Sequence, residues 1–256
     1  MYGQLQNISR FGGVVQDSLE ARLAFLKKVY GLLTLTVATA ALGAFASLYL
    51  GASVSQVGVT TASGTVIKIP PLVAFFAQHW IIGGALFLGT VFAASWARRR
   101  PGVNMLALLA MGLVSGLISA PAIFIAQLSA SNGTALTLNP VRDAFVLAVV
   151  AFGGLTTYVF TSKRDFSFLR GFITVGLFVV IGASILGLFI HSAAFQLAIA
   201  SAGVLLFAGF ILYDTSRILR DPLQRQEPVG AAISLFLDFL NLFLFLLQIF
   251  SGGRRQ

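Results

Sequence analysis

Long apolar stretches make up most of this chain, and short groups of charged or turn-forming residues separate them. An α-helix needs about 20 apolar residues to cross the hydrocarbon core of a bilayer. The pattern therefore predicts seven spanning helices, because the charge-free run Gly171–Tyr213 is long enough for two helices hinged near His191. The other five are predicted over Val29–Leu50, Leu72–Trp96, Val103–Leu128, Ala144–Ser162 and Val229–Phe250.

The segments at the two ends of the chain are polar. Residues 1–28 form an N-terminal segment, in which three leucines at helical spacing share one face of Asp17–Lys28. This spacing is typical of an interfacial amphipathic helix, and a short solvated helix fits it equally well. We expect a single seven-helix domain over residues 29–250, followed by a short basic tail at residues 251–256.

The composition agrees with a membrane-spanning chain, since 57% of the 256 residues are hydrophobic and only 10% are charged. A soluble domain carries about 25% charged residues, so the fold class is an all-α polytopic membrane protein. The absence of cysteine excludes disulfides, thiol catalysis and zinc–thiolate sites. The net charge of +9 does not indicate nucleic-acid binding, because the basic residues fall in short loops between apolar spans.

The distribution of these basic residues predicts the orientation of the chain. Most of them fall on one side of the predicted membrane: Arg10, Arg22, Lys27, Lys28, Arg98, Arg99, Arg100, Lys163, Arg164, Arg170, Arg217, Arg220 and Arg225. The other side holds Lys68, Arg142 and the tail arginines Arg254 and Arg255. Because positive loops stay in the cytoplasm, the N-terminus is predicted to be cytoplasmic. Seven crossings place the tail outside, whereas a re-entrant last helix would return it to the cytoplasm.

Two carboxyl groups stand within the last two predicted spans. Asp214 follows the uncharged run FQLAIASAGVLLFAGFILY, and Asp238 is the only charged residue between Val229 and Gly253. A carboxyl at bilayer depth is costly unless it is protonated, paired or facing water. The two aspartates lie equally far from residue 226 in the polar linker, so antiparallel helices joined there would bring them to similar depth.

The last predicted helix carries a stripe of polar residues. Ser234, Asp238, Asn241 and Gln248 fall at i, i+4, i+7 and i+14. Lipid would leave these groups unsatisfied, so the stripe must face protein or water. This predicts that the last helix is central and surrounded by the other six. A purely structural hydrogen-bond network between helices is the alternative explanation of the same stripe.

Two carboxyls held close together cannot both ionise easily, and they titrate as a unit that shares a proton. Loss of the shared proton creates repulsion, which separation of the helices or binding of a cation relieves. Calcium prefers several hard oxygen ligands, so Asp214 and Asp238, with Asn241, carbonyls and water, could form a weak and transient site. Weak binding suits a permeating ion, because conduction requires the ion to leave.

Arg98 ends the second predicted span, on the same side as the linker between the two aspartates. An inward-pointing Arg98 would stabilise an ionised aspartate and act as a latch between helices. Arg217, three residues after Asp214, is a competing partner. For Arg99 and Arg100 the orientation signal is a sufficient explanation.

Several segments resemble the Bax inhibitor-1 family, the transmembrane Bax-inhibitor-motif proteins. They are GFILYDTSRIL (209–219), AAISLFLDFLNLFLFLLQIF (231–250), SKRDFSFLRG (162–171) and WARRR (96–100). The resemblance covers nearly the whole chain from about residue 20 and implies seven helices with a central last helix. It also implies a pH-sensitive calcium leak governed by a di-aspartyl pair, at Asp214 and Asp238, with an arginine latch at Arg98.

The resemblance further implies possible partners and a location. Eukaryotic members of the family are linked to suppression of cell death, and some bacterial members are linked to a membrane-bound AAA protease. The short chain, without targeting features, favours a bacterial member in the inner membrane.

These observations together predict a calcium leak channel gated by protonation of the Asp214–Asp238 pair, with calcium as the permeant ion and no cofactor. A non-catalytic regulator of a membrane partner and a proton-coupled cation exchanger are the alternatives. An intramembrane aspartyl protease also pairs two aspartates, but its motif resembles Gly-x-Gly-Asp, and Leu235–Leu237 precede the second aspartate here. A serine protease would need Ser115 beside His191, and their helix positions argue against contact. We therefore expect no enzyme activity.

Overall fold

The computed structural model describes residues 2–52, 55, 58–61, 64–162, 164–220 and 227–252, leaving aside the side chains of residues 2–19 and 22. Helices dominate this part of the chain. In chain order the elements are α1 (Tyr2–Tyr49), β1 (Gly58–Thr60), β2 (Val66–Lys68), α2 (Pro71–Gln78), α3 (Trp80–Ala97), α4 (Val103–Ser131), α5 (Pro140–Ser162), α6 (Leu169–Leu186), α7 (Ala193–Arg220) and α8 (Pro228–Phe250). The two strands form an antiparallel hairpin in the loop between α1 and α2.

Seven of the described helices are long and apolar enough to cross a membrane, namely α1 from Leu23 onward and α3 to α8. The predicted all-α polytopic fold is therefore confirmed. The apolar part of α1 begins before the predicted Val29, because α1 continues without a break from Tyr2. The predicted hinge near His191 lies in the short loop between α6 and α7.

The second predicted span differs from a single helix, because it is interrupted at His79. There the backbone (φ −110°, ψ 48°) leaves the helical region, and the ring Nδ1 lies 3.1 Å from the carbonyl oxygen of Phe75. The apolar run Leu72–Trp96 gives no sign of this break, since hydrophobicity alone does not report the backbone angles of one residue. The part after the break, α3, has 18 residues, or about 27 Å of helix, which nearly spans the hydrocarbon core.

The two ends of the bundle differ in charge. At one end, called here the basic end, α3, α5 and α7 finish and α8 begins; the arginines at this end are Arg98, Arg99, Arg100, Arg164, Arg170, Arg217 and Arg220. At the opposite end, α8 finishes against the loop between α4 and α5. The backbone N–H of Leu136 in that loop donates to the carbonyl of Phe250 at 2.9 Å. Helix α8 therefore crosses the whole bundle and does not re-enter.

Helix α8 occupies the centre of the bundle, as its polar stripe predicts. It packs against α1, α3, α4, α5 and α7, while α6 packs against α7. More than half of its residues are buried, including Leu235, Phe236 and Leu242. A helix that is apolar on nearly every face is stable only when protein or lipid surrounds it completely. This position puts Asp238 in the core.

Helices α1 and α4 approach closely along a line of glycines, called here the glycine seam: Gly43 on α1, and Gly112 and Gly116 on α4. A Cβ at Gly116 would overlap the backbone carbonyl of Ala40, and one at Gly43 would overlap that of Leu113. The small-xxx-small spacing of Gly112 and Gly116 thus serves helix packing.

Candidate functional site

Asp214 of α7 and Asp238 of α8 lie side by side within the bundle, with their carboxyl groups close enough to interact. Asp238 is only 4% exposed, and Asp214 is partly buried. Asp238 is ten residues beyond the start of α8, or about 15 Å along the helix axis. The structure therefore brings the two predicted residues together at depth, as their spacing about the linker suggests; residues 221–226 of that linker lie outside the described residues.

The closeness of the two carboxyls has a chemical consequence. Two ionised carboxylates repel each other and can only accept hydrogen bonds, so a proton on one of them favours the pair. Asp238 Oδ2 is buried and has no hydrogen-bond partner among the described residues. A buried oxygen in this state has lone pairs available for water, a proton or a cation.

Arg98 lies at the basic end, where its guanidinium pairs with Glu227 and not with the aspartates. Its Nε is 3.1 Å from Glu227 Oε2, and Arg99 pairs with the other oxygen of the same carboxylate. Within the described part of the chain, no ion pair joins Arg98 to Asp214 or Asp238. Because Glu227 directly precedes α8, this ion pair ties the end of α3 to the start of the central helix. The competing cation, Arg217, is exposed and lies one turn from Asp214. Its positive charge attracts the Asp214 carboxylate electrostatically.

A cavity of about 260 Å³, called here the basic-end cavity, lies beside Tyr213, the residue before Asp214. Its lining residues are Asp165, Ser167, Tyr213, Ser216, Arg217 and Arg220. The backbone N–H of Ser167 donates to the Asp165 carboxylate at 2.9 Å and holds the pKa of Asp165 below its usual value. Asp165 is therefore ionised at neutral pH. The Ser216 hydroxyl on α7 accepts a hydrogen bond from the N–H of Phe166 at 3.2 Å. This bond attaches the loop that precedes α6 to helix α7.

Three buried hydroxyl groups form a second polar group near Asp214, called here the hydroxyl cluster: Tyr30 of α1, Thr156 of α5 and Thr215 of α7. Each of these oxygens is buried without a partner in hydrogen-bond geometry among the described residues. Ordered water commonly satisfies such groups. No sequence pattern reveals the cluster, because single Thr and Tyr residues in apolar helices are ordinary and only tertiary packing brings these three together.

The polar stripe of α8 continues from Asp238 toward the opposite end. Asn241 donates from Nδ2 to the Leu237 carbonyl at 2.7 Å, and Gln248 donates from Nε2 to Gln196 Oε1 at 3.1 Å. Both residues line a cavity of about 630 Å³ between α2, α3, α4 and α8, called here the amide cavity. Ser234, one turn toward the basic end, is partly buried and lines neither cavity.

The arrangement gives no support to the enzymatic alternatives. Ser115 is buried in α4, where its hydroxyl donates to the Met111 carbonyl at 2.6 Å, whereas His191 is exposed in the loop between α6 and α7. Across the described ranges, no group of three or more His, Cys, Asp or Glu residues could hold a metal ion. Asp214 and Asp238 alone supply only part of a calcium shell, which suits a passing cation better than a resident one.

Comparisons with known proteins agree with the motifs. Residues 22–256 match the family described as inhibitor of apoptosis-promoting Bax1. The chain is 34% identical to Protein lifeguard 4 of Mus musculus and 32% identical to the Golgi anti-apoptotic protein of Vaccinia virus (strain Lister), in both cases over 95% of this chain and 91% of the relative. It is 35% identical to an uncharacterized membrane protein of Vibrio cholerae over 88% of this chain and 87% of that protein. The family match includes both aspartates, Arg98 and Glu227.

Proposed function

Since the chain belongs to the Bax inhibitor-1 family of membrane proteins, which has anti-apoptotic members, we propose that it is a pH-sensitive calcium leak channel. The observation that carries this proposal is the adjacent Asp214–Asp238 pair within the bundle, with Asp238 in its core. Intramembrane carboxyls are costly and mark ion or proton pathways. Two adjacent carboxyls whose repulsion a proton relieves are suited to sense pH.

The surroundings of the pair support an ion route. Tyr213, the residue before Asp214 on α7, lines the basic-end cavity, and the amide cavity begins at Asn241, one turn beyond Asp238. Polar groups therefore lie on both sides of the pair, on α7 toward the basic end and on α8 toward the opposite end. In the proposed channel, the pair between these groups is the section where an ion would be controlled.

Protonation would act on this narrow section through the charge of the pair. With a shared proton the carboxyls are held together; without it, two adjacent negative charges repel each other until a cation binds or the helices separate. Calcium would then be a transient ligand of Asp214 and Asp238, with water and nearby carbonyls completing its shell. Ser234 and Asn241 would support the pair from the same helix face.

The proposal is tested by calcium flux from liposomes that hold the purified protein, measured across a pH series. Wild type is expected to show a pH-dependent flux, and Asp214→Asn and Asp238→Asn are expected to lose that dependence, because an amide cannot exchange the proton. Asp143→Asn is the matched control, since Asp143 pairs with Arg142 in an exposed position at the opposite end. It should keep the wild-type pH response. Equal, pH-independent flux from wild type and both variants would show that the gating proposal is wrong.

The same liposomes separate the leak channel from a proton-coupled exchanger. An exchanger would move calcium against its gradient when a pH gradient is imposed, whereas a leak only lets calcium run down. We expect a leak, because polar groups that line cavities lie on both sides of the pair, at Tyr213 and at Asn241.

A non-catalytic regulator of another membrane protein is the second candidate, and the name of one relative favours it. The Golgi anti-apoptotic protein of Vaccinia virus is named for an effect on cell death. A regulator would keep its activity in Asp214→Asn and Asp238→Asn. For such a role a membrane-bound AAA protease is the partner class we would test first, by co-purification from membranes.

We also propose that the basic end faces the cytoplasm, that the protein resides in a bacterial inner membrane, and that it is not an enzyme. The first point follows from the arginines at that end and the positive-inside rule.

A further inference from the structure

The amide cavity lies between the aspartate pair and the opposite end of the bundle. Its polar lining comes from one helix and its cap: Asn241, Gln248 and Ser251, against otherwise apolar walls. Asn241 is about 4.5 Å beyond Asp238 along the helix axis, and Gln248 is about 10 Å farther. The cavity thus extends the polar stripe from the pair to the end of α8.

The orientation of the Gln248 amide follows from a chain of hydrogen bonds that starts at a backbone group. Gln196 Nε2 donates to the carbonyl of Gly187 at 3.0 Å. A carbonyl can only accept, so Gln196 must present Oε1 on its other side. That oxygen can only accept in turn, and Gln248 therefore gives it Nε2. The Oε1 of Gln248 is therefore left without a partner in this chain of hydrogen bonds.

Asn241 is oriented by the same logic. Its Nδ2 donates to the Leu237 carbonyl, which leaves its Oδ1 as the remaining group. Among the described residues no donor bonds to Asn241 Oδ1 or to Gln248 Oε1. The cavity therefore has two amide groups that each donate one N–H to the protein, keep a second N–H, and leave their oxygens without a partner among the described residues.

The end of α8 adds to this polarity. The last four carbonyls of α8 accept hydrogen bonds from Leu136, Ser251 and Gly252. The C-terminal end of the helix dipole at Phe250, beside Gln248 and Ser251, still carries partial negative charge. The Ser251 hydroxyl donates to the Gln248 backbone carbonyl at 3.0 Å, so its lone pairs are also free to accept. Free oxygens and a helix C-terminus favour cations and disfavour anions.

We propose that the amide cavity is a cation-selective vestibule, in which Asn241 Oδ1 and Gln248 Oε1 replace part of the water shell of a small cation. The two oxygens act in succession, because they are too far apart to bind one ion together. This role rests on the proposed channel function for its physiological meaning, but the preference of the cavity for cations can be measured separately.

The first test measures calcium flux for Gln248→Met, which keeps the length of the side chain and removes its oxygen. Flux should fall severalfold while the pH midpoint stays unchanged, because the aspartate pair is intact. Gln196→Met is the matched control, since it breaks the same hydrogen bond and keeps the Gln248 oxygen. An equal loss of flux in both variants would mean that flux depends on the Gln196–Gln248 hydrogen bond and not on Gln248 Oε1. That result would overturn the vestibule proposal. Unchanged flux in Gln248→Met, with pH-dependent flux in wild type, would overturn it and leave the channel proposal standing.

The second test does not require flux. Trp80 lines the amide cavity, and the chain has only one other tryptophan, Trp96. In a Trp96→Phe background, caesium should quench Trp80 fluorescence more efficiently than iodide does. Gln248→Lys should reverse that order by placing a positive charge in the cavity. Iodide quenching equal to caesium quenching, or no effect of Gln248→Lys, would overturn the vestibule. A cation preference in a protein without flux would support it and reject only the channel.

Discussion

At the scale of single residues, burial decides which polar groups pair with opposite charges. The two aspartates lie side by side within the bundle, and Asp238 is buried in its core. The Arg98–Glu227 ion pair lies at the basic end, where the arginine side chain is 44% exposed. Moving a guanidinium into the core would require removing its water shell, a cost that often exceeds the Coulombic gain. This explains why Arg98 contacts Glu227 and leaves the aspartates beside each other.

Glu227→Gln should release the start of α8 from α3 and raise calcium flux at every pH. A partly exposed ion pair contributes at most about 1 kcal/mol, so the increase should not exceed roughly fivefold. The same liposome measurement checks it, with Arg100→Gln as the control. Arg100 belongs to the same cluster, but its guanidinium lies 3.5 Å from the centre of the Trp96 ring. A flux in Glu227→Gln that equals wild type would show that this ion pair does not restrain α8.

At the scale of helices, close packing depends on the glycine seam between α1 and α4. At Gly116 a side chain would meet backbone, which cannot rotate away as a flexible side chain can. Glycines on α3 have a different role, because a Cβ at Gly84 or Gly89 would meet nothing within 4 Å. Glycines on neighbouring helices therefore differ in how much they contribute to the stability of the fold.

Gly116→Ala should destabilise the fold by on the order of 2 kcal/mol or more, because the added methyl forces α1 and α4 apart. Gly89→Ala should be neutral or slightly stabilising, since alanine is the better helix former by about 1 kcal/mol. Thermal unfolding of both purified variants in the same detergent checks this pair. A melting temperature of Gly116→Ala at or above that of Gly89→Ala would contradict the close contact at the seam.

At the scale of the whole molecule, seven helices long and apolar enough to cross a membrane run between the two ends of the bundle. The hydrogen bond from Leu136 to Phe250 places the end of α8 with the α4–α5 loop, away from the arginines of the basic end. In the proposed channel the aspartate pair would then lie between the two sides of the membrane, which is the setting a proton-controlled leak requires.

The native chain contains no cysteine, so single introduced cysteines can test this topology without background. Phe168→Cys at the basic end and Leu138→Cys at the opposite end both replace exposed residues, 74% and 97% exposed. A membrane-impermeant maleimide added outside intact bacterial cells should label Leu138→Cys, and should label Phe168→Cys only after the membrane is opened. Labelling of both from outside, or the reverse pattern, would contradict the proposed orientation.

Much of the fold and part of the site follow from the sequence, because their causes are local or repetitive. Apolar length predicts the spans, and the polar stripe predicts the central helix. Asp238 is conspicuous because no other charge lies near it in the chain. Glu227 is not, since an acid in a polar linker is ordinary until folding brings Arg98, 129 residues earlier, beside it (227 − 98). The sequence does not single out Gln196 or the hydroxyl cluster, for the same reason.

The sequence by itself determined that this chain has seven membrane-spanning helices. It also determined that the aspartates in the last two helices need a partner, a proton or water. The reason is solvation, because the free energy of placing a side chain in the bilayer depends on its type and its depth. Only the tertiary structure decided which groups satisfy which. It paired Arg98 with Glu227, turned the amides of Asn241 and Gln248 so that their oxygens stay free, and broke the second span at His79. Those outcomes depend on the positions of atoms from different helices, which no single segment of sequence contains.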